Sequence, residues 1–102
     1  MSEVVTVFRS RLRDDAYDNG YIDRAAEMIE RAKQNPGFLE HKSFTADDGE
    51  RVSIVRFASP EAHYKWAGDA GHRAVQQQGR DEFYLEYSIT VADVRRERAW
   101  SV

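Results

Sequence analysis

Val52-Ser53-Ile54-Val55-Arg56-Phe57, Ser59-Pro60-Glu61-Ala62-His63-Tyr64-Lys65-Trp66 and Asp69-Ala70-Gly71-His72-Arg73 follow one another almost without interruption. The first run alternates, with Val52, Ile54 and Arg56 on one face and Ser53, Val55 and Phe57 on the other, and its β-branched residues predict a strand. Ser59 has the chemistry of a helix N-cap, Pro60 suits the first helical position and Glu61 the first turn. Gly68 and Gly71 are expected to break the helix after Trp66, with Asp69 and His72 in the restart. A large aromatic, an imidazole and a carboxylate therefore gather around one chain break.

The segments on either side complete a pattern. Val4 to Leu12 is rich in strand formers, apolar at first on both parities, so a strand covered on both sides is expected. Within Asp14 to Asn35, Tyr21, Ile22, Ala25, Met28, Ile29 and Ala32 recur at helical spacing. Asp14, Asp15, Asp18 and Asn19 are all candidate caps, and Gly20 is expected to weaken the first turn. Asn35-Pro36-Gly37 ends that helix. Phe38 to Phe44 and Arg51 to Phe57 read as a hairpin around Asp47-Asp48-Gly49. Gly79 is expected to close the second short helix. A last strand follows from Phe83 to Val94, with Phe83, Leu85, Tyr87, Ile89 and Val91 on one face.

The order is β-α-β-β-α-β with the second helix broken. That predicts an α+β fold of ferredoxin-like type, one antiparallel sheet with helices on one side, over a single domain spanning residues 1–102. Val5, Val7, Leu39, Val55 and Tyr84 are expected on the face away from the helices. Such a surplus of apolar surface needs a cover, and a second copy of the same sheet supplies one, so the expected partner is the chain itself, as a homodimer.

Composition narrows the function. The chain has 102 residues and a net charge of −3, so it carries no electrostatic footprint for nucleic acid or an anionic membrane. It has no cysteine, which excludes disulfides, thiolate catalysis and cysteine metal sites. There is no apolar run of membrane-spanning length and no signal-peptide core, so a cytoplasmic location is expected. His41 and His63 lack partners at metal spacing, and no Gly-x-Gly-x-x-Gly run occurs, so neither a metal nor a nucleotide or flavin cofactor is expected.

Taken together, Pro36-Gly37-Phe38-Leu39, the strand Val52 to Phe57, Ser59-Pro60-Glu61-Ala62, Trp66, Asp69, His72-Arg73, Tyr84 and Val91 resemble the antibiotic biosynthesis monooxygenase domain family. The resemblance implies a dimeric α+β barrel, with a pocket in each protomer between sheet and helices. Members of that family include cofactor-free oxygenases of polyketide anthrones, quinol oxygenases and haem-degrading enzymes. The haem-degrading branch uses an Asn near the end of the first strand, a Trp at the end of the first short helix and a His in the next. Here Ser10 stands in place of the Asn and Trp66 matches. The His position falls near Gln76, with His72 one turn earlier on the same face.

A cofactor-free oxygenase of a phenolic, quinol or anthrone-type substrate must bind a flat apolar ring, remove a proton and stabilise the anion. The candidate catalytic residues are His72, Trp66 and Ser10, and Phe8, Leu85 and Tyr87 are candidate substrate-binding residues. Each also has a plain structural role open to it: Trp66 and Tyr87 as core aromatics, His72 as a surface residue, Ser10 as a solvated strand end, Asp69 as a helix cap. Two functions follow, an O2-dependent monooxygenase of a small aromatic compound, or a non-enzymatic dimer that binds a small ligand. A polar-rimmed cavity of several hundred cubic ångströms behind Trp66 favours the first, and a packed interior the second.

Overall fold

Four strands hydrogen-bond into one antiparallel sheet of order β2-β3-β1-β4 in a computed structural model that describes residues 2–102. The strands are β1 (Val4–Leu12), β2 (Phe38–Thr45), β3 (Arg51–Phe57) and β4 (Tyr84–Asp93), and the helices are α1 (Tyr21–Lys33), α2 (Pro60–Ala67) and α3 (Ala70–Gln78). The ferredoxin-like α+β arrangement with a broken second helix is the one the sequence predicts. The sheet is open, with β2 and β4 as its edges.

Local chemistry accounts for the helix boundaries. The Ser59 hydroxyl accepts a hydrogen bond from the Ala62 N–H at 3.2 Å and starts α2, with Pro60 behind it. Asp69 does the same for α3, accepting from the His72 N–H at 2.9 Å. Gly68 ends α2 as expected, whereas Gly71 lies inside α3 and breaks nothing. α1 starts later than its acidic run suggests. Residues 14–20 form turns, and Gly20 stands before the helix as its N-cap with φ of 86°, a left-handed conformation that costs glycine nothing.

α3 ends at Gln78 with Gly79 as its C-cap, where the sequence places it, but Gly79 keeps right-handed helical dihedrals and the chain continues through a π-helical turn, Gly79–Phe83, before β4 begins. The glycine also serves packing: a Cβ there would lie 2.6 Å from Cε2 of Tyr84. The wide turn feeds a β-bulge, since Arg11 pairs with Glu86 but Leu12 pairs with Tyr84. An extra residue in β4 switches the parity of its side chains at this point.

The bulge corrects two expectations. Tyr84 and Tyr87 both face the helices, while Leu85 is 71% exposed and lies outside the interior. Val55 also belongs to the helix side: Phe57, two residues on, is fully buried, and Val55 lines the interior with Ser53 and Arg51. The face away from the helices is therefore made by Val5, Val7, Val52, Ile54 and Phe44, not by Val55 or Tyr84. Leu39 sits at a second irregularity, between Phe38 and Glu40, and is half exposed.

Tightly packed side chains gather at the two ends of the sheet. Val4, Phe57 and Ala62 are buried at one end, and Phe83 is buried at the other, in edge contact with Tyr21 at 5.5 Å. β1 runs between these ends over eight residue steps, about 26 Å at strand rise. The middle of the space between sheet and helices is left hollow.

Candidate functional site

The hollow is a cavity of about 350 Å3 between the sheet and the three helices. Thr6, Phe8 and Ser10 form its floor from β1, and Tyr87 and Ile89 contribute from β4. Ala25, Met28 and Ile29 of α1 cover it, and Trp66 and His72 close it at the junction of α2 and α3. Its lining is mostly apolar with a few polar groups, as small-molecule sites are.

Trp66 and His72 pack against each other at this junction. Their rings stack with centroids 4.1 Å apart and planes 19° from parallel. Nδ1 of His72 lies 3.2 Å from the backbone oxygen of Trp66. A carbonyl oxygen only accepts, so Nδ1 carries the proton in the neutral ring and Nε2 keeps the free lone pair. Burial lowers the His72 pKa below the ordinary histidine value, more than the Trp66 carbonyl and Asp69 raise it. The imidazole is thus neutral at pH 7. Behind it, Arg31 pairs with Asp69 at 2.7 Å and ties α1 to the start of α3.

The other end of the cavity is aromatic. Phe8 lies 5.4 Å from both Tyr84 and Tyr87, and Tyr84 lies 5.7 Å from Tyr87. Burial pushes the Tyr84 phenol well above its ordinary value, and Tyr21 adds to this, so Tyr84 stays a proton donor. The Tyr87 hydroxyl accepts from the Arg80 guanidinium at 2.8 Å, which leaves its own proton free to donate. Ser10 is only 3% exposed, paired across the sheet with Arg51 and with Tyr87, so it is a cavity residue and not a solvated strand end.

Five of the six candidate residues meet here: His72, Trp66, Ser10, Phe8 and Tyr87. Leu85 does not, because the bulge turns it outward. Sequence reading missed Thr6, whose hydroxyl is buried without a hydrogen-bond partner, and it missed Arg51, Arg24 and Tyr84. Thr6 and Arg51 share strand parity with Phe8 and Ser53, a signal that becomes readable once the helix-facing parity is known. His41 and His63 line the same cavity, each with its pKa lowered by burial. Among the described residues no group of three or more His, Asp or Glu is placed to hold a metal ion.

This fold, with a cavity between sheet and helices, is that of the antibiotic biosynthesis monooxygenase domains. Rv0793 of Mycobacterium tuberculosis superimposes with a TM-score of 0.81 at 21% identity, over 96% of this chain and 100% of that one. SnoaB, a cofactor-independent oxygenase from Streptomyces nogalater, superimposes with a TM-score of 0.77 at 16% identity, over 95% and 97% of the two chains. In sequence the chain is similar to the uncharacterized protein YqjZ of Bacillus subtilis strain 168, 33% identical over 81 residues, which are 79% of this chain and 71% of that protein. The chain belongs to the family of YqjZ. No protein-family model matches it. No helix among the described residues is long and apolar enough to cross a membrane.

Proposed function

We propose that this protein is a monooxygenase that oxidises a small phenolic, quinol or anthrone-type compound directly with O2, without a cofactor. The observation that carries the reading is the neutral His72, with its Nε2 lone pair free beside a hollow lined by aromatic rings. The likeness of fold to SnoaB supports the reaction type. The cavity volume of about 350 Å3 supports a bound ligand over a packed interior.

The residues divide the work as follows. Phe8, Tyr87 and Trp66 sandwich a flat ring. His72 Nε2 takes a proton from the substrate's hydroxyl or activated methylene and leaves a delocalised anion. Hydroxyl protons of Ser10, Tyr84 and Tyr87 stabilise that anion. The anion passes an electron to O2, and the two radicals combine into a peroxide. Loss of water from the peroxide leaves a carbonyl where the methylene of an anthrone, or the attacked ring C–H of a phenol or quinol, stood. The substrate supplies four electrons, one oxygen atom becomes the carbonyl and the other becomes water.

The proposal includes a single domain over residues 1–102, a cytoplasmic location, and a homodimer that covers Val5, Val7, Val52, Ile54 and Phe44. The test is O2 uptake by metal-free protein against a panel of phenols, quinols and anthrones. Turnover that survives chelators and falls at least tenfold in His72→Gln is the expected result. Saturable binding of the same compounds without O2 uptake would identify a ligand-binding protein instead and overturn the enzymatic reading.

A further inference from the structure

The charges that line the cavity are of one sign. Arg24 and Arg51 reach its wall beside three histidines that burial keeps neutral, and among the described residues no aspartate or glutamate does. The two arginines differ. Arg24 is already compensated, bonded to the Gln78 side chain at 2.6 Å and to Glu27 at 3.0 Å. Arg51 is not. Its guanidinium lies over the Tyr21 ring, 5.7 Å from the centroid, and meets no carboxylate among the described residues. Other guanidiniums on this sheet are paired: Arg9 with Glu50, Arg11 with Asp48 and Glu86, and Arg56 with Glu3 and Glu97.

We infer that the natural ligand is an anionic aromatic compound, with its ring beside Trp66 and His72 and its carboxylate or equivalent acidic group held by Arg51. The inference rests on the reading of the cavity as an aromatic-ligand site. An uncompensated cation in a largely apolar hollow is stabilised by an anion more than by a neutral group. Guanidinium is also the side chain best shaped to take a carboxylate through two parallel hydrogen bonds. Arg51 pairs across the sheet with Ser10, and Val55 with Thr6. Four residue steps separate Arg51 from Val55, about 13 Å along the strand. That span fits a ligand of two or three fused or linked rings with the acid at one end. The backbone between Arg51 and Val55 carries Ser53 on the same wall.

The test uses two fluorescent probes that share one aromatic framework, 1-anilinonaphthalene-8-sulfonate and the neutral N-phenyl-1-naphthylamine. The background is Trp100→Phe, which leaves Trp66 as the only tryptophan to report occupancy, because the chain has two. The sulfonate is expected to bind at least about tenfold more tightly than the neutral probe, with an advantage that shrinks as salt is added. Arg51→Met should abolish that advantage and leave the neutral probe within about twofold of the parent, while Arg51→Lys, which keeps the charge but not the paired donors, retains only part of it. Unchanged binding of the neutral probe also shows that Arg51→Met is folded. Equal affinities for the two probes, or a sulfonate advantage that persists in Arg51→Met, overturns the inference and leaves the aromatic site standing. If neither probe quenches Trp66, the aromatic site itself fails, and the inference with it.

Discussion

Thr6→Val separates stability from function at a single hydroxyl. Oγ1 of Thr6 is buried and has no hydrogen-bond partner in the protein. Its neighbours across the sheet are Val55 and Val91, both apolar. A hydroxyl withdrawn from water without compensation costs about 1–3 kcal/mol in proteins. Valine has nearly the same shape, keeps the β-branch and restores an apolar surface. The variant should therefore be more stable by about 1–2 kcal/mol, which for a chain of this size raises Tm by roughly 4–12 °C. Urea unfolding followed by circular dichroism measures this, with an unchanged slope to show that the unfolded state is the same. The same variant should leave ligand binding and turnover within about twofold of the parent, because the hydroxyl is closed off from the cavity and no ligand reaches it. A loss of stability of 1 kcal/mol or more would refute the reasoning, since it would mean that the hydroxyl is hydrogen-bonded in solution, through a buried water for example.

Ile54→Asp or Val7→Asp, on the face away from the helices, should convert a dimer of the 11.8 kDa chain into monomers in sedimentation equilibrium, whereas wild type that sediments as a monomer at micromolar concentration would remove the homodimer. Stability should fall as pH drops from 7.5 through the ordinary histidine range near 6.5, because His41, His63 and His72 all have lowered pKa values and the unfolded chain takes up protons that the folded one resists. Below about pH 4 the paired carboxylates Asp48, Asp69 and Glu97, whose pKa values are also lowered, add to that loss, and a urea midpoint that stays flat between pH 7.5 and 5.5 would contradict the histidine part. Gly79→Ala should cost about 1–3 kcal/mol and alter the near-ultraviolet dichroism of the tyrosines, since the new Cβ meets the Tyr84 ring. Trp66→Phe should keep the fold but weaken the stack that orients His72, lowering turnover more than ligand affinity.

Local signals carry most of the fold. The alternation in Val52 to Phe57, the Ser59-Pro60 cap, the Asp69 cap and the Asp47-Asp48-Gly49 turn each depend on neighbours a few residues away, and each stands where the sequence places it. The order of elements then limits the topology to the ferredoxin-like sheet, and Trp66, His72, Ser10, Phe8 and Tyr87 are legible as candidates because their strands and helices are. What depends on distant parts of the chain is not written locally. Which parity of β3 faces the helices is decided by the burial of Phe57 against Val4 and α2, so Val55 changes sides relative to the sequence expectation and Arg51, of the same parity, comes to the cavity wall. The bulge opposite Arg11 and Leu12 arises where the π-helical turn delivers the chain to β4, and it puts Tyr84 inside and Leu85 outside. The tautomer of His72 is set by a carbonyl six residues earlier that only the break between α2 and α3 brings within reach. Arg51 reads in sequence as one more surface charge at the start of a strand. Only the packing of Tyr21 against it, and the absence of any acid on the described cavity wall, distinguishes it from the paired arginines around it, because the environment of a charge is a property of the whole fold.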